Sequence, residues 1–490
     1  MPRPITAVIH RQALQNNLAV VRKAMPNSKV FAVVKANAYG HGIERVYEAF
    51  KAADGFALLD LDEAKRIRAL GWTGPILLLE GIFSPQDLFD CVQYQLSFTI
   101  HSEAQIEWVE KHPYPAQFDV CLKMNSGMNR LGFKPQHYVQ AWERLNNLAN
   151  VSKITHMMHF SDADGDRFGQ QGINYQITAF EEIIKDLPGE RSVSNSAAIL
   201  RYQDQLKSDY ARSGIMLYGS SPDYPTHSIA DWGLQPTMSL RSEIISVQHL
   251  EPNESVGYGS NFVAEQPMTI GIVACGYADG YQRISPTGTP VLVDSVRTRT
   301  IGRVSMDMLA VDLTGIDSAK VGSEVVLWGQ SSTGVVLPID DVAVSSGTVG
   351  YELMCASPPV FNLLIRYKEI RMSNSDIQKI NTNEVMSAVT VFNKVVYLSG
   401  QVPKNTEQDV AGQTREILAT IDELLALANT DKSRLLSAQL YLKNLSDFST
   451  VNAIWIDWLK GCVAPSRATI QADLVNPDWL IEIAVTAAQK

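Results

Sequence analysis

The sequence predicts an α/β protein of three parts, and three observations carry that prediction. From residue 30 to 217, short runs that are apolar throughout alternate with amphipathic stretches, the pattern of a parallel sheet covered by helices. The runs number eight, enough to close a (β/α)8 TIM barrel. From about Trp232 to Tyr367 the texture changes to short alternating segments broken by Gly, Pro and Asp, as in a mainly antiparallel β domain. Residues 379–490 then return to mixed strands and helices, a small α+β unit.

In order, the eight runs are 30–35, 55–60, 75–81, 96–102, 118–125, 154–161, 191–196 and 210–219, and helix-like segments such as 43–53, 61–70, 85–95 and 136–147 lie between them. The first strand, Pro4 to His10, is assigned to the β domain. That domain therefore takes 1–9 and 232–369, and the barrel takes 10–231. Polar residues without periodicity at 370–378 read as a linker. In the last part, strands at 385–392, 394–399 and 435–442 and two final strands are expected around two helices. The first helix carries Ile417, Ile421, Leu424 and Ala428 at spacings of four, three and four.

Composition excludes several classes of function. A hydrophobic fraction of 45% is that of a globular protein, and no run reaches the roughly 18 apolar residues of a membrane span. The N-terminus lacks a basic region followed by an apolar core, so a cytoplasmic home is expected. Five scattered cysteines argue against a disulfide framework or a metal site. A net charge of -10 argues against nonspecific nucleic-acid binding.

A barrel gathers its chemistry at the C-terminal ends of its strands, and the sequence does the same. Lys35 closes the first run, Arg130 follows the fifth, His159 ends the sixth, Asn195 and Ser196 end the seventh, and Arg212, Gly214 and Ile215 lie on the eighth. A lysine ending a buried strand needs a partner or a task, and the Tyr39 hydroxyl four residues on suits a phosphorylated ligand. Ser196 and the backbone near Gly214 and Ile215 occupy the usual phosphate position of such barrels.

These residues sit in ordered motifs: AVVKANAYGHG (32–42), LKMNSGMNRLGF (122–133), SNSAA (194–198), RSGIMLYG (212–219), VGYGSNF (256–262), GYADGY (276–281), GRVSMDM (302–308) and YELMC (351–355). From about residue 3 to 369 the chain resembles the alanine racemases, pyridoxal phosphate enzymes built from a barrel and a β domain. Ser213 and Ser305 stand where many members have proline and cysteine. The resemblance implies that Lys35 carries the cofactor and acts as one base, and that Tyr277 acts as the other. It places Tyr39, Ser196, Gly214, Ile215 and Tyr351 on the phosphate, with Asn195 also at the cofactor. His159 would stand beside the tyrosine base, and Arg212 would face the pyridine nitrogen. Arg130, Met306 and Asp307 would meet the substrate, and Lys123 matches a position that some members carbamylate. A head-to-tail homodimer and D-alanine supply for peptidoglycan, or D-alanine catabolism, are further implications. A broader serine racemase, a decarboxylase of the same architecture and a barrel-type cofactor carrier are the competing readings.

The last part carries LSGQVP (398–403), TVNAIW (450–455), APSRATI (464–470) and IEIAVTA (481–487). It resembles the Rid/YjgF family, of chorismate-mutase-like fold, whose active members hydrolyse enamines and imines such as 2-aminoacrylate. The resemblance implies a carboxylate-binding Arg467, a water-positioning Glu482, a role for Asn452, and trimers. The family's tyrosine-containing entry segment is replaced here by TNEVMSAV (382–389). Assembly through trimers, and an ordinary Arg467–Glu482 ion pair, are the alternatives to hydrolysis.

Overall fold

The computed structural model describes residues 3–112, 117–203, 205–356, 364–366, 377–392 and 394–489. Two compact units divide the chain, Met1–Lys368 and Glu369–Lys490.

In the first unit, β1 (Thr6–His10) and α1 (Arg11–Ala24) precede the barrel. The barrel strands are β2 (Lys29–Val33), β3 (Gly55–Leu58), β4 (Ile76–Leu78), β5 (Ser97–Ile100), β6 (Phe118–Lys123), β7 (Val151–Met157), β8 (Glu190–Ser192) and β9 (Tyr210–Ser213). From β2 to β8 each strand pairs in parallel with the next, and β9 returns to β2 with Tyr210 opposite Lys29. A parallel bridge between Ser194 and Ala211 closes the last seam. Between successive strands lie α2 (Ile43–Phe50), α3 (Leu61–Ala69), α4 (Asp87–Gln93), α5 (Glu103–Glu110), α6 (Pro135–Asn146), α7 (Asn174–Ile184) and α8 (Ser196–Arg201).

Local chemistry sets these elements. The Asp60 carboxylate accepts from the Asp62 amide at 2.7 Å and caps α3. Pro135 opens α6, which buries Tyr138, Ala141, Trp142 and Leu145 along one stripe. All four residues of β3 and all three of β4 are buried, as strands covered on both faces require.

Each apolar run outlasts its strand at the C-terminal end. β2 stops at Val33, so Lys35 lies beyond the strand it was expected to close; Ser196 opens α8, and Gly214 and Ile215 follow β9. The reason is burial: residues lining a closed pocket are shielded like strand residues, so hydrophobicity alone does not mark where pairing stops.

The β domain contains β10 (Met238–Leu250), β11 (Met268–Val273), β12 (Pro290–Val293), β13 (Val296–Ile301), β14 (Leu309–Asp312), β15 (Glu324–Gln330), β16 (Val336–Leu337), α9 (Ile339–Ser345), α10 (Gly350–Cys355) and β17 (Leu364–Arg366). Its sheet runs β16-β15-β12-β13-β14-β11-β10-β1-β17, and β15 also pairs with β10. Every pairing is antiparallel except β1 with β17. The first strand thus pairs within this sheet.

The second unit contains β18 (Gln378–Thr382), β19 (Ser387–Phe392), β20 (Val395–Leu398), α11 (Val410–Leu427), β21 (Leu435–Leu442), α12 (Phe448–Trp458), β22 (Ser466–Gln471) and β23 (Ile481–Ala488). Sheet order is β18-β19-β20-β23-β21-β22, and only β21 and β22 are parallel. Of the expected linker, 370–376 lies outside the described residues. Gln378 belongs instead to a strand, which its polar sequence concealed because β18 is an edge strand with exposed faces. Ile417, Ile421 and Leu425 of α11 pack into one core with Val451 and Trp455 of α12 and with Ile481, Ile483 and Val485. Ile421→Ala should therefore destabilise this unit by about 2–5 kcal/mol, measured as a lower urea midpoint for its unfolding transition.

Candidate active site

A cavity of about 390 Å³ opens at the C-terminal ends of the barrel strands. Eleven of the expected residues line it: Lys35, Tyr39, Lys123, Arg130, His159, Asn195, Ser196, Arg212, Gly214, Ile215 and Tyr351. A larger cleft of about 760 Å³ near His10 and Gln235 holds none of them.

Lys35 enters the cavity from an unusual backbone. Ala36, Asn37, Ala38 and Tyr39 have φ of 54°, 52°, 56° and 51°, a turn of left-handed helix without a glycine inside it. Such a conformation costs roughly 1–2 kcal/mol per L-residue. Gly40 ends the turn at φ 80°, where a Cβ would lie 2.1 Å from the Met354 carbonyl oxygen. The turn delivers the lysine amine at one end and the tyrosine hydroxyl at the other.

Opposite the turn, the Ser196 hydroxyl accepts from the Gly214 amide at 3.0 Å, and the Asn195 side chain caps α8 by accepting from Ala198 N at 3.0 Å. A Cβ on Gly214 would stand 2.9 Å from the Tyr39 hydroxyl and 3.7 Å from Ser196 Oγ. The glycine therefore keeps open a small space between two hydroxyls and a helix N-terminus, a polar cradle suited to an anion.

Positive charge dominates the remainder. Arg212 is 5% exposed and donates to Ser192 O and Ser192 Oγ, to the Met158 carbonyl at 2.7 Å, and toward His159 Nδ1 at 3.4 Å. None of these partners is a carboxylate, and burial lowers its pKa to about 10. Burial, then Arg212 and Arg130, bring Lys123 down to about 8. Burial first, then Arg130, also lowers Lys35, while Glu80 opposes the shift. Burial and the same cations hold His159 well below its ordinary value, so the ring is neutral.

Tyr277, Met306 and Asp307 do not line the cavity. They form one patch on the β domain: Tyr277 N donates to Ser305 O at 3.1 Å, and Ala278 N to Met306 O at 2.9 Å. Arg3 bridges the two loops through Asp279, at 2.7 and 3.0 Å, and Asp307 O, at 2.6 Å. Gly276 permits the contact, since a Cβ there would fall 2.3 Å from Met306 O.

Sequence reasoning missed two groups. Glu80 lines the cavity just after β4, and its signal was the same as that of Lys35, a charge at the end of an apolar run. Tyr258 is 72% exposed, against 39% for Tyr277, and sits between Gly257 and Gly259 at φ 71° and 77°. The Arg303 guanidinium lies 3.5 Å from where a Cβ on Gly259 would be. Its signal was the Gly-Tyr-Gly spacing, which presents a single ring at a loop tip.

In the second unit, Arg467 donates to Asn452 Oδ1 at 2.8 Å and lies 5.6 Å from the centre of the Trp455 ring. Arg467 pairs with Ala438, whose side chain faces the helices, whereas Glu482 pairs with Tyr441 on the other face. Within one chain Arg467 and Glu482 thus lie on opposite faces of the sheet, and no ion pair joins them among the described residues.

Comparison with known proteins agrees with this architecture. Residues 9–222 match the family model of the alanine racemase N-terminal domain, 237–362 that of the alanine racemase C-terminal domain, and 377–489 that described as endoribonuclease L-PSP, the Rid/YjgF family. An alanine racemase of Acinetobacter baumannii (strain SDF) is 97% identical over 356 residues, 73% of this chain and 97% of its own length. One from Acidovorax sp. (strain JS42) is 60% identical over 361 residues, 73% of this chain and 98% of its own. Among solved structures, the biosynthetic alanine racemase of Pseudomonas aeruginosa superposes with a TM-score of 0.70 at 41% identity, covering 74% of this chain and 99% of that one. Barrel, β domain and cavity together therefore place the chain in the alanine racemase family, with a Rid/YjgF unit joined after them.

Proposed function

We propose that the first unit interconverts L-alanine and D-alanine with pyridoxal 5'-phosphate as cofactor. One observation carries the reading: Lys35, Lys123, Arg130 and Arg212 share a cavity whose acidic lining residues are Glu80 and Asp164. That excess of positive charge suits a ligand presenting both a phosphate and a carboxylate. The residues fit such a group. Tyr39, Ser196 and the Gly214–Ile215 backbone would take the phosphate in the cradle that Gly214 keeps open, with Tyr351 and Asn195 at its margin. When bound, the cofactor supplies an electron sink for the substrate α-carbon.

The protein's own groups then divide the work. Lys35 would hold the cofactor and move the α-proton on one face, in the direction that serves D-alanine. Arg130 would match its fork to the substrate carboxylate, with Met306 and Asp307 brought to it by a second copy of the chain. Arg212, still a cation at neutral pH, would face the ring nitrogen and disfavour a proton there. Neutral His159 receives the Arg212 hydrogen bond and would stand next to the second base once a second copy of the chain supplies it. Lys123 is the group open to carbamylation, since its neutral amine is accessible near pH 8.

The second base is a tyrosine from the β domain, and its absence from the cavity lining supports a head-to-tail homodimer in which one chain's tyrosine serves the other's cavity. The family resemblance assigns Tyr277. Tyr258 is the second reading, favoured by its greater exposure. The optical rotation of L-alanine with the loaded protein should decay to zero, and phenylalanine at the true base should slow that decay by at least about a hundredfold. Racemisation blocked in Tyr258→Phe and retained in Tyr277→Phe selects Tyr258; the reverse selects Tyr277. Carbon dioxide release with steady rotation would mean decarboxylation, and L-serine in parallel measures breadth.

Because burial and Arg130 disfavour the Lys35 ammonium, its neutral amine prevails above a pH lower than that of an ordinary lysine. Cofactor attachment at Lys35 should therefore rise with pH and reach half-maximum below the ordinary lysine value, followed by absorbance.

For the second unit, Arg467 held by Asn452 supports capture of a small carboxylate, and hydrolysis of enamines or imines released by the first unit is the function proposed for it. Trimer formation through this unit is the accompanying assembly proposal. Arg467→Ala should hasten inactivation during exposure to L-serine, and an unchanged inactivation rate would leave assembly as the role.

A further inference from the structure

The left-handed turn that presents Lys35 and Tyr39 has nothing in its own sequence to keep it left-handed. Ala36, Ala38 and Tyr39 prefer the right-handed region and only Asn37 tolerates the left-handed one readily, so a run of four needs support from its neighbours. α3 provides it. Glu63 Oε1 accepts the Asn37 amide proton at 2.6 Å, in the middle of the turn. From one helical turn further on, Arg66 Nη2 donates to Asn37 Oδ1 at 2.8 Å while the same guanidinium grips Glu44 at 2.7 and 2.7 Å. Asn37 Oδ1 also accepts from the Ile43 amide at 3.2 Å, tying the turn to the start of α2. Asn37 is thus held on its backbone from one side and on its side chain from two others.

Glu63 accepts this position at a cost, because its Oε2 is buried without a hydrogen-bond partner. A glutamate in the first turn of a helix could turn both oxygens to water. This one keeps an orphaned oxygen while Oε1 holds the Asn37 amide.

We propose that Glu63 is a positioning residue for the reaction: by accepting the Asn37 amide it holds residues 36–39 left-handed and so fixes where the Lys35 amine and the Tyr39 hydroxyl point. The proposal rests on the racemase reading of the cavity. It assigns Glu63 no contact with substrate or cofactor.

The test compares the holoenzyme with E63M and E63Q. Methionine keeps volume and helix preference and removes the strong acceptor; glutamine keeps the acceptor and removes the charge. Three quantities are read: kcat and KM for L-alanine, the rate at which added pyridoxal phosphate is trapped on Lys35 by borohydride, and amide hydrogen exchange across residues 36–40. For E63M, kcat should fall on the order of tenfold to a hundredfold with KM changed less, trapping should slow and exchange should quicken. E63Q should recover most of all three. Wild-type exchange and trapping in E63M would overturn the proposal, as would E63Q impaired as deeply as E63M. If the wild-type protein neither racemised alanine nor trapped cofactor at Lys35, the racemase reading would fail; exchange at residues 36–40 would still decide whether Glu63 holds the turn.

Discussion

Repulsion among like charges is the constraint to which the first unit is built. Lys35, Lys123, Arg130 and Arg212 surround one cavity, and the Arg212 guanidinium meets carbonyls, a hydroxyl and an imidazole instead of a carboxylate. Cations gathered without matching anions destabilise a folded chain, and the effect grows with burial. The closed barrel bears that load by anchoring two of the cations on strands, Arg212 within β9 and Lys123 at the end of β6. A ligand carrying negative charge relieves the repulsion, so the site is tense when open and relaxed when filled.

The same elements explain how the phosphate end is shaped. Gly214 lies between Tyr39 and Ser196, and the missing side chain defines the space. In the β domain Gly276 does a different job, letting the loop of Tyr277 lie directly on the carbonyls of Ser305 and Met306. One glycine opens a volume; the other allows two loops to close on each other.

Much of this was legible in the sequence. Eight apolar runs gave the barrel, and residues at their ends gave most of the cavity lining, because a parallel barrel forces strand ends onto one rim. Strand limits were not legible, since residues just past a strand, such as Val34, are as buried as paired ones. The left-handed turn was hidden because Ala and Tyr carry no mark of positive φ and a single Asn does not predict a run of four, and its restraint comes from α3, distant in sequence. Gln378–Thr382 escaped because an edge strand exposes both faces and so lacks the apolar alternation that betrays a buried one. Arg467 and Glu482 were grouped by motif, whereas the pairing of β21 with its two neighbours decides which face each occupies.

The β-domain patch pinned by Arg3 has a genetic consequence. In the proposed reading a chain lends its tyrosine and borrows the other's lysine, so each cavity in a pair is inherited from two copies. A chain lacking the lysine and a chain lacking the tyrosine are then complementary lesions, and their mixed pair contains one intact cavity. Selection at this patch acts on the quality of a neighbour's site as much as on the chain's own, which couples surface residues to chemistry they never touch within their own fold.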